Sequence, residues 1–357
     1  MRPRVAYVAA HHGRGHVMRA AAVLRHVRAE ATLFSSADPP DLPPGAAFVR
    51  LPADDPRGAA DVRPAGPLHY APVGHDGLRR RMARLAAWAA EGPGLLVADV
   101  SAEVATFGRL LSLPVVAVRQ HGRRWDEGHL LGYRLAARLL APFPRVLDEP
   151  DAPAWVRAKT TYAGGFSRFD GRSVDAVPAP RTVVVMGGGG ASGPDSAPAW
   201  TPADVVAAAR ATPDRRWRIL GAETPPGAPP NLLGLGWIAD PLPVLARAGV
   251  VVAHGGHNAV MEAATAGRPL VVVPAERPFE EQRRKAAALA RSGAAVVRHP
   301  WPAPADWPGV LAEASALDPA PLRSLSDGHG ARRAAALLDR LATTVANDTP
   351  TVRPVLA

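Results

Sequence analysis

Residues 250–267 confine the chain to a narrow set of folds. Val250, Val251, Val252 and Ala253 form a short β-branched apolar run that ends in glycine, the pattern of a strand buried on both faces of a parallel sheet. A glycine turn follows through His254, Gly255, Gly256, His257 and Asn258. A helix-forming string then runs to a stop at Gly267 and Pro269. A strand, a glycine turn and a helix N-terminus make an anion site, because the turn's N–H groups and the helix dipole converge on one place. Glycine at 255 and 256 lets that backbone approach a phosphate with no Cβ in the way. Glu262 lies about one helical turn beyond Asn258 and can face the same cleft. A carboxylate there suits a ribose diol. The plain alternative is an ordinary βα unit with a tight turn.

The same alternation of strands and helices recurs along the chain, which calls for parallel α/β units. With 357 residues, about two domains of roughly 150 residues each are expected. Strands are expected near 5–10, 32–35, 47–51, 95–98 and 115–118, with helices near 17–28, 77–90, 102–111 and 127–140. The pattern breaks over 164–180, where glycine and proline cluster. A second series follows, with strands near 182–186, 216–220, 231–233, 250–252, 270–273 and 294–297. Its helices are expected near 203–211, 242–246, 258–266, 280–291, 305–316 and 330–345. The reading is an N-terminal domain over 1–163, a linker over 164–180, a C-terminal domain over 181–346 and a tail over 347–357.

Composition removes several classes. The chain has no cysteine, so disulfides, thiolate catalysis and Cys-ligated zinc are excluded. Its apolar share of 47% is far from a disordered composition. No apolar run approaches the length of a membrane span, and the first apolar stretch is too short for a signal peptide. A cytoplasmic protein is expected. The net charge of +10 is carried almost wholly by arginine, Lys159 and Lys285 being the only lysines. No RNA-binding sheet signature or DNA-reading helix pair accompanies it, so nucleic acid is not an expected partner. The charge suits small polyanions or an anionic membrane surface. The helix around 78–88 carries Arg79, Arg80, Arg81 and Arg84 beside Leu78, Met82, Leu85 and Trp88. This is a core face with a solvated basic side, or a helix that lies on the inner face of a membrane.

Three further loops open at strand ends, where ligands of α/β sheets bind. The first holds His11, His12, Gly13, Arg14, Gly15 and His16, and three histidines on one strand end exceed what a tight turn needs. A neutral imidazole there could take a proton from an attacking hydroxyl. Asp99 ends the run 95–98. It is either an N-cap of the next helix or a carboxylate that orients or replaces the histidine. The loop 121–129 is dense in His, Arg, Trp and Asp and is either an exposed polar loop or a contact for a polar acceptor, with His121 and Arg124 as candidates. Gly187 to Gly190 follow the first strand of the second series and serve either as a hinge or as a close backbone approach to a ligand.

The segment 254–282 resembles the donor-binding signature of nucleotide-sugar glycosyltransferases of the GT-B architecture, the UDP-glycosyltransferases and the GlcNAc transferase of peptidoglycan synthesis. The resemblance is clear over the second half and weak over the first. It implies two Rossmann-like domains with parallel sheets facing a central cleft. It also implies that His254, Gly255, Gly256, His257 and Asn258 hold a diphosphate, that Glu262 holds the ribose, and that Glu281 and Gln282 reach the donor sugar. Trp237 and Ile238 match the position beside the nucleobase, although a core Trp is the alternative. Gly188 and Gly189 are expected against the donor. Arg168 matches a linker arginine that reaches the nucleotide end, or it pairs with Asp170. In the first domain His16 falls on the catalytic histidine, with His12 and Asp99 as further candidates and Gly13, Gly15, His121 and Arg124 on the acceptor side.

The activity so implied is inverting, metal-independent transfer of a hexose or N-acetylhexosamine from a UDP-sugar to an acceptor hydroxyl. The UDP-sugar is a co-substrate, no cofactor is needed, and the acceptor is a small molecule or lipid-linked. The C-terminal helix would cross back onto the first domain. The rivals are a UDP-GlcNAc 2-epimerase-like isomerase, kept alive by the Glu280 and Glu281 pair, and an inactive sugar-nucleotide-binding partner.

Overall fold

The computed structural model describes residues 2–10, 14–54, 61–63, 66–173, 175–187 and 198–348. The first half builds a seven-stranded sheet from β1 (Arg4–Ala9), β2 (Glu30–Ser35), β3 (Ala47–Arg50), β4 (Leu95–Asp99), β5 (Val115–Val118), β6 (Arg138–Ala141) and β7 (Thr160–Tyr162). Its order is β3-β2-β1-β4-β5-β6-β7, and every pair is parallel. The helices that cover it are α1 (Gly15–Leu24), α2 (Asp76–Ala90), α3 (Ala102–Leu110), α4 (Glu127–Leu135) and α5 (Ala154–Lys159). The second half builds a six-stranded parallel sheet from β8 (Ala179–Met186), β9 (Arg216–Leu220), β10 (Leu232–Gly234), β11 (Ala248–Ala253), β12 (Leu270–Val272) and β13 (Val296–Val297). Its order is β10-β9-β8-β11-β12-β13. Helices α6 (Pro202–Ala211), α7 (Leu242–Ala246), α8 (His257–Ala266), α9 (Glu281–Arg291), α10 (Trp307–Ala316), α11 (Pro319–Ser324) and α12 (Gly330–Asp348) complete the chain.

Strand order reverses between β1 and β4 in one sheet and between β8 and β11 in the other. Loops that leave neighbouring strands at such a point go to opposite faces, which opens a crevice. The two sheets are buried on both faces, which explains their continuous apolar runs. Val5, Tyr7 and Ala9 point into one core with α1, while Ala6 and Val8 point into another with α2 and α3. In the second sheet Val250 and Val252 meet α6 and α10, while Val251 and Ala253 meet α7, α8 and α9. The last of these cores also takes in Ala141, Phe143 and Leu147 from the first half, so apolar packing joins the two domains.

Local chemistry sets several boundaries. Thr201 and Asp204 form a reciprocal capping box at the start of α6, with Pro202 in its first turn. Gly267 closes α8 in the left-handed region at φ +63°, a conformation that favours glycine.

One expectation is corrected. The helix expected over 127–140 stops at Leu135, and β6 begins at Arg138. The Ala- and Leu-rich string there has helical propensity, but pairing with β5 wins because it extends a buried sheet. The strand β7 and the short α11 were likewise not expected. The C-terminal helix also reaches the first half of the chain. Ala331, Ala334, Ala335, Leu338 and Ala342 of α12 enter the core of the first sheet beside α1. Asp339 accepts hydrogen bonds from the backbone N–H groups of Arg28 and Ala29, both at 3.0 Å. The C-terminal helix therefore crosses back onto the first sheet.

Among the described residues no helix is long and apolar enough to cross a membrane. The basic side of α2 is smaller than its sequence suggests. Arg81 is buried and donates to Ser36 Oγ at 2.5 Å and Pro52 O at 3.1 Å, while Arg79 and Arg80 both pair with Asp76.

Leu338 is fully buried at the contact between α12 and the first sheet. Leu338→Ala should cost about 2–4 kcal/mol of unfolding free energy in urea titrations. A loss below about 1 kcal/mol would show that the helix does not contribute to this core.

Candidate active site

On the first sheet, the candidate site gathers at the ends of β1, β4 and β5. Ser101 caps α3, its hydroxyl accepting from the Val104 N–H at 3.1 Å. Asp99 is thereby spared the capping role and turns inward, with its carboxyl fully buried. Its Oδ1 lies 3.3 Å from His16 Nδ1 and accepts a hydrogen bond from Arg19 Nη2, while Oδ2 accepts from the Tyr7 hydroxyl at 3.4 Å. Burial alone would raise the Asp99 pKa, but Arg19 and then His16 hold it below the ordinary carboxylate range. Burial and the neighbouring Asp99 charge push the Tyr7 phenol well above its ordinary value, so it stays a donor. His16 is the one member of the group near solvent, with 17% of its side chain exposed. His12 and Gly13 lie outside the described residues.

On the second sheet, the turn after β11 carries the other half. The Gly256 N–H donates to His254 Nδ1 at 3.0 Å. That bond assigns the ring proton to Nε2, the tautomer that can donate to an anion. Gln282 is buried, its Oε1 accepting from the Ala275 N–H at 2.9 Å and its Nε2 lying 3.3 Å from His254 Nδ1. Both ends of the amide are engaged within the protein, and Gln282 holds the His254 ring in place. The glycines also have a packing reason. A Cβ at Gly255 would stand 2.9 Å from the Gln282 carbonyl, and one at Gly256 would stand 2.4 Å from the His254 ring. The turn is tight because α9 and the ring crowd it, in addition to any ligand.

Other expected contacts divide. Glu262 is buried and bound to Arg168, with Nε to Oε1 at 3.0 Å and Nη2 to Oε2 at 3.4 Å. Burial raises the Glu262 pKa, opposed by Arg168. Arg168 therefore does not pair with Asp170, which accepts instead from the Ala331 N–H at the start of α12. Trp237 is 76% exposed, so it is not a core residue; Ile238 is half-buried against the interdomain core. Glu281 keeps partial exposure and pairs with Arg124 at 3.5 Å. Gly188 and Gly189 lie outside the described residues.

Three of the expected ligand residues have their side chains engaged within the protein. The His257 ring is buried and its Nε2 lies 3.0 Å from Phe166 O, so it anchors the linker and leaves only its backbone N–H at the turn. The His121 ring is buried against Phe143, with Nε2 2.9 Å from Leu147 O. Burial lowers the pKa of both rings, so they are neutral. Arg124 is buried, with Nε to His121 O at 3.1 Å and Nη1 3.0 Å from His129 Nε2. With Glu281 also in reach, it is a strut between domains and not an open acceptor contact.

The two halves touch. The Asn258 amide at the start of α8 donates to Gly15 O at the start of α1 at 3.2 Å. Arg123 N donates to Phe279 O at 2.7 Å, and the Arg123 side chain pairs with Glu280 at 2.9 Å. The N-terminus of α8 beside His254 thus meets the start of α1, which carries His16.

Several groups escaped the sequence reading. Arg19 stands one turn after His16 on α1, and that spacing was the available signal. Lys285 is buried on α9, and its ammonium pKa is lowered to about 8, first by burial. The scarcity of lysine in this chain could have marked it. His69, Asp126 and His129 bring ligand atoms within 4.8 Å of one another, a spacing that could hold a metal ion. Arg124 beside His129 opposes that use, because it donates where a metal-bound ring would carry its own N–H.

Comparison with known proteins agrees with this arrangement. Residues 231–299 match the glycosyltransferase family 28 C-terminal domain, a span running from β10 into the segment after β13. An uncharacterized glycosyltransferase of Methanosarcina acetivorans is 29% identical over 145 residues, 39% of this chain and 36% of that protein. The chain thus matches about a third of the length of that curated relative. Among solved structures, the glycotransferase of kitacinnamycin superposes with a TM-score of 0.64 at 20% identity, over 97% of this chain and 99% of its own. The calicheamicin glycosyltransferase CalG4 gives 0.62 at 19% identity, over 97% and 100%. UGT2 of Phytolacca americana, complexed with UDP-2fluoro-glucose and pterostilbene, gives 0.60 at 16% identity, over 96% and 94%. The chain has the GT-B fold, two facing Rossmann-like domains joined by a linker. The segment similar to the glycosyltransferase family 28 C-terminal domain lies within its second half.

The domain contact also holds a pH-sensitive group. Glu149 accepts from the Gly122 N–H at 2.8 Å, and burial pushes its carboxyl up to about 7. A raised folded-state pKa means the folded protein binds extra protons. The stability this group contributes is full below about 4.5 and is lost as pH rises to about 7. Glu149→Gln should therefore flatten the fall in stability across that range, read from urea midpoints at about pH 4.5 and about pH 8. Equal falls in both proteins would contradict this assignment.

Proposed function

We propose that the protein is a glycosyltransferase that moves a hexose or N-acetylhexosamine from a UDP-sugar to an acceptor hydroxyl, with inversion and without a divalent ion. One observation carries the reading. The buried Asp99 beside His16 on the first sheet faces the N-terminus of α8, with its His254 turn, across the Asn258–Gly15 contact. A base stands on one side of the cleft and an anion site on the other.

In this reading the diphosphate sits at the 254–258 turn, where the free N–H groups of the first turn of α8 and the Nε2–H of His254 meet it. Glu262 offers its remaining lone pairs to the ribose diol, with Arg168 holding the carboxylate in place. Trp237 presents an exposed indole face for the uracil. Glu281 is the nearest carboxylate for a sugar hydroxyl. His16, with Nδ1–H donating to Asp99, takes the acceptor proton on Nε2 as the acceptor oxygen bonds to the anomeric carbon. The bond from that carbon to the diphosphate oxygen breaks on the opposite side, which inverts the centre. The leaving charge is met by the turn's N–H groups, an oxyanion-hole arrangement. The family 28 segment and the fold support this class of reaction.

Turnover of a panel of UDP-sugars against phenolic and sugar acceptors, with EDTA present, tests the proposal. His16→Ala and Asp99→Asn should each lower kcat by about a hundredfold or more while UDP affinity holds within about twofold. Unchanged rates in both variants would remove the base assignment. Glu262→Ala should weaken UDP binding by about tenfold or more, with a much smaller effect on 2′,3′-dideoxy-UDP. Equal losses for the two nucleotides would show that Glu262 does not read the ribose.

A further inference from the structure

The turn that leads into α9 is strained. Phe279 has φ +60° and Glu280 φ +57°, two successive non-glycine residues in the left-handed region. Each costs free energy there, and such a pair persists only where its surroundings over-determine it. Those surroundings belong largely to the first half of the chain. The Arg123 N–H donates to Phe279 O at 2.7 Å, and the Arg123 side chain pairs with Glu280 at 2.9 Å. Gly122 passes so close that a Cβ on it would stand 2.7 Å from the Phe279 carbonyl oxygen.

The Phe279 ring has a seat outside the hydrophobic cores, and 36% of the residue stays exposed. It stands edge-on to His129 at 4.8 Å between ring centres and to His69 at 5.6 Å, and the Arg124 guanidinium lies 4.8 Å from its centre. Asp126, the cap of α4, fixes this seat. Its carboxylate oxygens lie 2.7 Å from His69 Nε2 and 2.6 Å from His129 Nδ1. Burial lowers the His129 pKa to about 4, so the ring is neutral and its Nε2 accepts from Arg124 Nη1 at 3.0 Å. Arg124 then reaches Glu281 at 3.5 Å. Phe279 and Glu281 therefore meet the same guanidinium. In a continuous helix, residues two apart point to different sides. The left-handed pair turns both onto Arg124.

We propose that Phe279 is a positioning residue: docked on His69, Arg124 and His129, it holds the left-handed turn and so sets the place of Glu281. The first half of the chain grips the turn, and the second half's sugar contact is complete only while that grip lasts. The role of Glu281 toward the sugar rests on the function proposed above; the grip on the turn does not.

Two measurements on the full chain test this. The first is calorimetric titration with UDP and with UDP-glucose or UDP-N-acetylglucosamine, since Glu281 is placed against the sugar alone. Phe279→Ala removes the ring and keeps the strain. It should lower the affinity for the UDP-sugar relative to UDP by about tenfold, with UDP itself within about twofold. Phe279→Gly also removes the ring but adopts a positive φ freely, and it should recover part of that loss. A general structural defect gives the reverse order, because glycine destabilises ordinary backbone more than alanine does. An unchanged ratio in Phe279→Ala, or a Phe279→Gly no better than Phe279→Ala, would overturn the positioning role. The second measurement is amide hydrogen exchange in the free protein. The Arg123 N–H should exchange about tenfold faster in Phe279→Ala than in the wild type, and equal rates would overturn the grip. Failure of every UDP-sugar to bind would overturn the donor reading, while the exchange rates still decide the grip.

Discussion

Both sheets of this chain reverse strand order, and everything in the cleft depends on where those reversals fall. At each reversal the loops leaving two adjacent strands part to opposite faces, so side chains there are not filled in by the next βα unit. The first sheet reverses between β1 and β4, which brings His16 and Asp99 together from positions 83 residues apart. The second reverses between β8 and β11, which exposes the turn at His254. Because α12 returns to the first sheet and the core around α9 takes in Phe143 and Leu147, the two openings are held face to face.

The interior of that cleft is a chain of charge pairs. Asp99 meets Arg19, Glu281 meets Arg124, and Glu262 meets Arg168. Each carboxylate is at least partly withdrawn from water, where an unpaired charge costs several kcal/mol. Arg19 and Arg168 oppose the upward pull of burial on the pKa values of Asp99 and Glu262. They also leave few degrees of freedom. Gln120 is a neutral member of this chain, its amide oxygen accepting from Arg19 and its nitrogen donating to Glu281. Lys285 and Glu149 stand at the edge of the same network, with their pKa values drawn toward neutrality by burial.

Much of this was legible from residue order. Parallel strands buried on both faces must read as apolar runs, and the helices between them carry capping residues and glycine stops. The glycine turn at 254–258 was legible because strand, glycines and helix follow one another within twenty residues. The Arg138 to Ala141 strand was not legible, because a Leu- and Ala-rich string suits helix and strand alike until a neighbour offers its backbone. The inward partners of His121, His257 and Gln282 were not legible for a related reason. A polar residue in a loop at a strand end can face the cleft or the protein, and only the packing of linker, β6 and α9 turned these three inward.

Sequence alone determined the class of fold, the glycine turn at 254–258 and the candidate status of His16 and Glu262, because each rests on features within a few residues of chain. Tertiary structure decided which partners those residues have. Asp99 became the partner of His16 only because Ser101 caps α3 and β4 lies beside β1. Arg168 found Glu262 across 94 residues, and Arg19 found Asp99 across 80. Hydrogen bonds of that kind form between groups that the fold brings within about 3 Å, a distance that spacing along the chain does not encode.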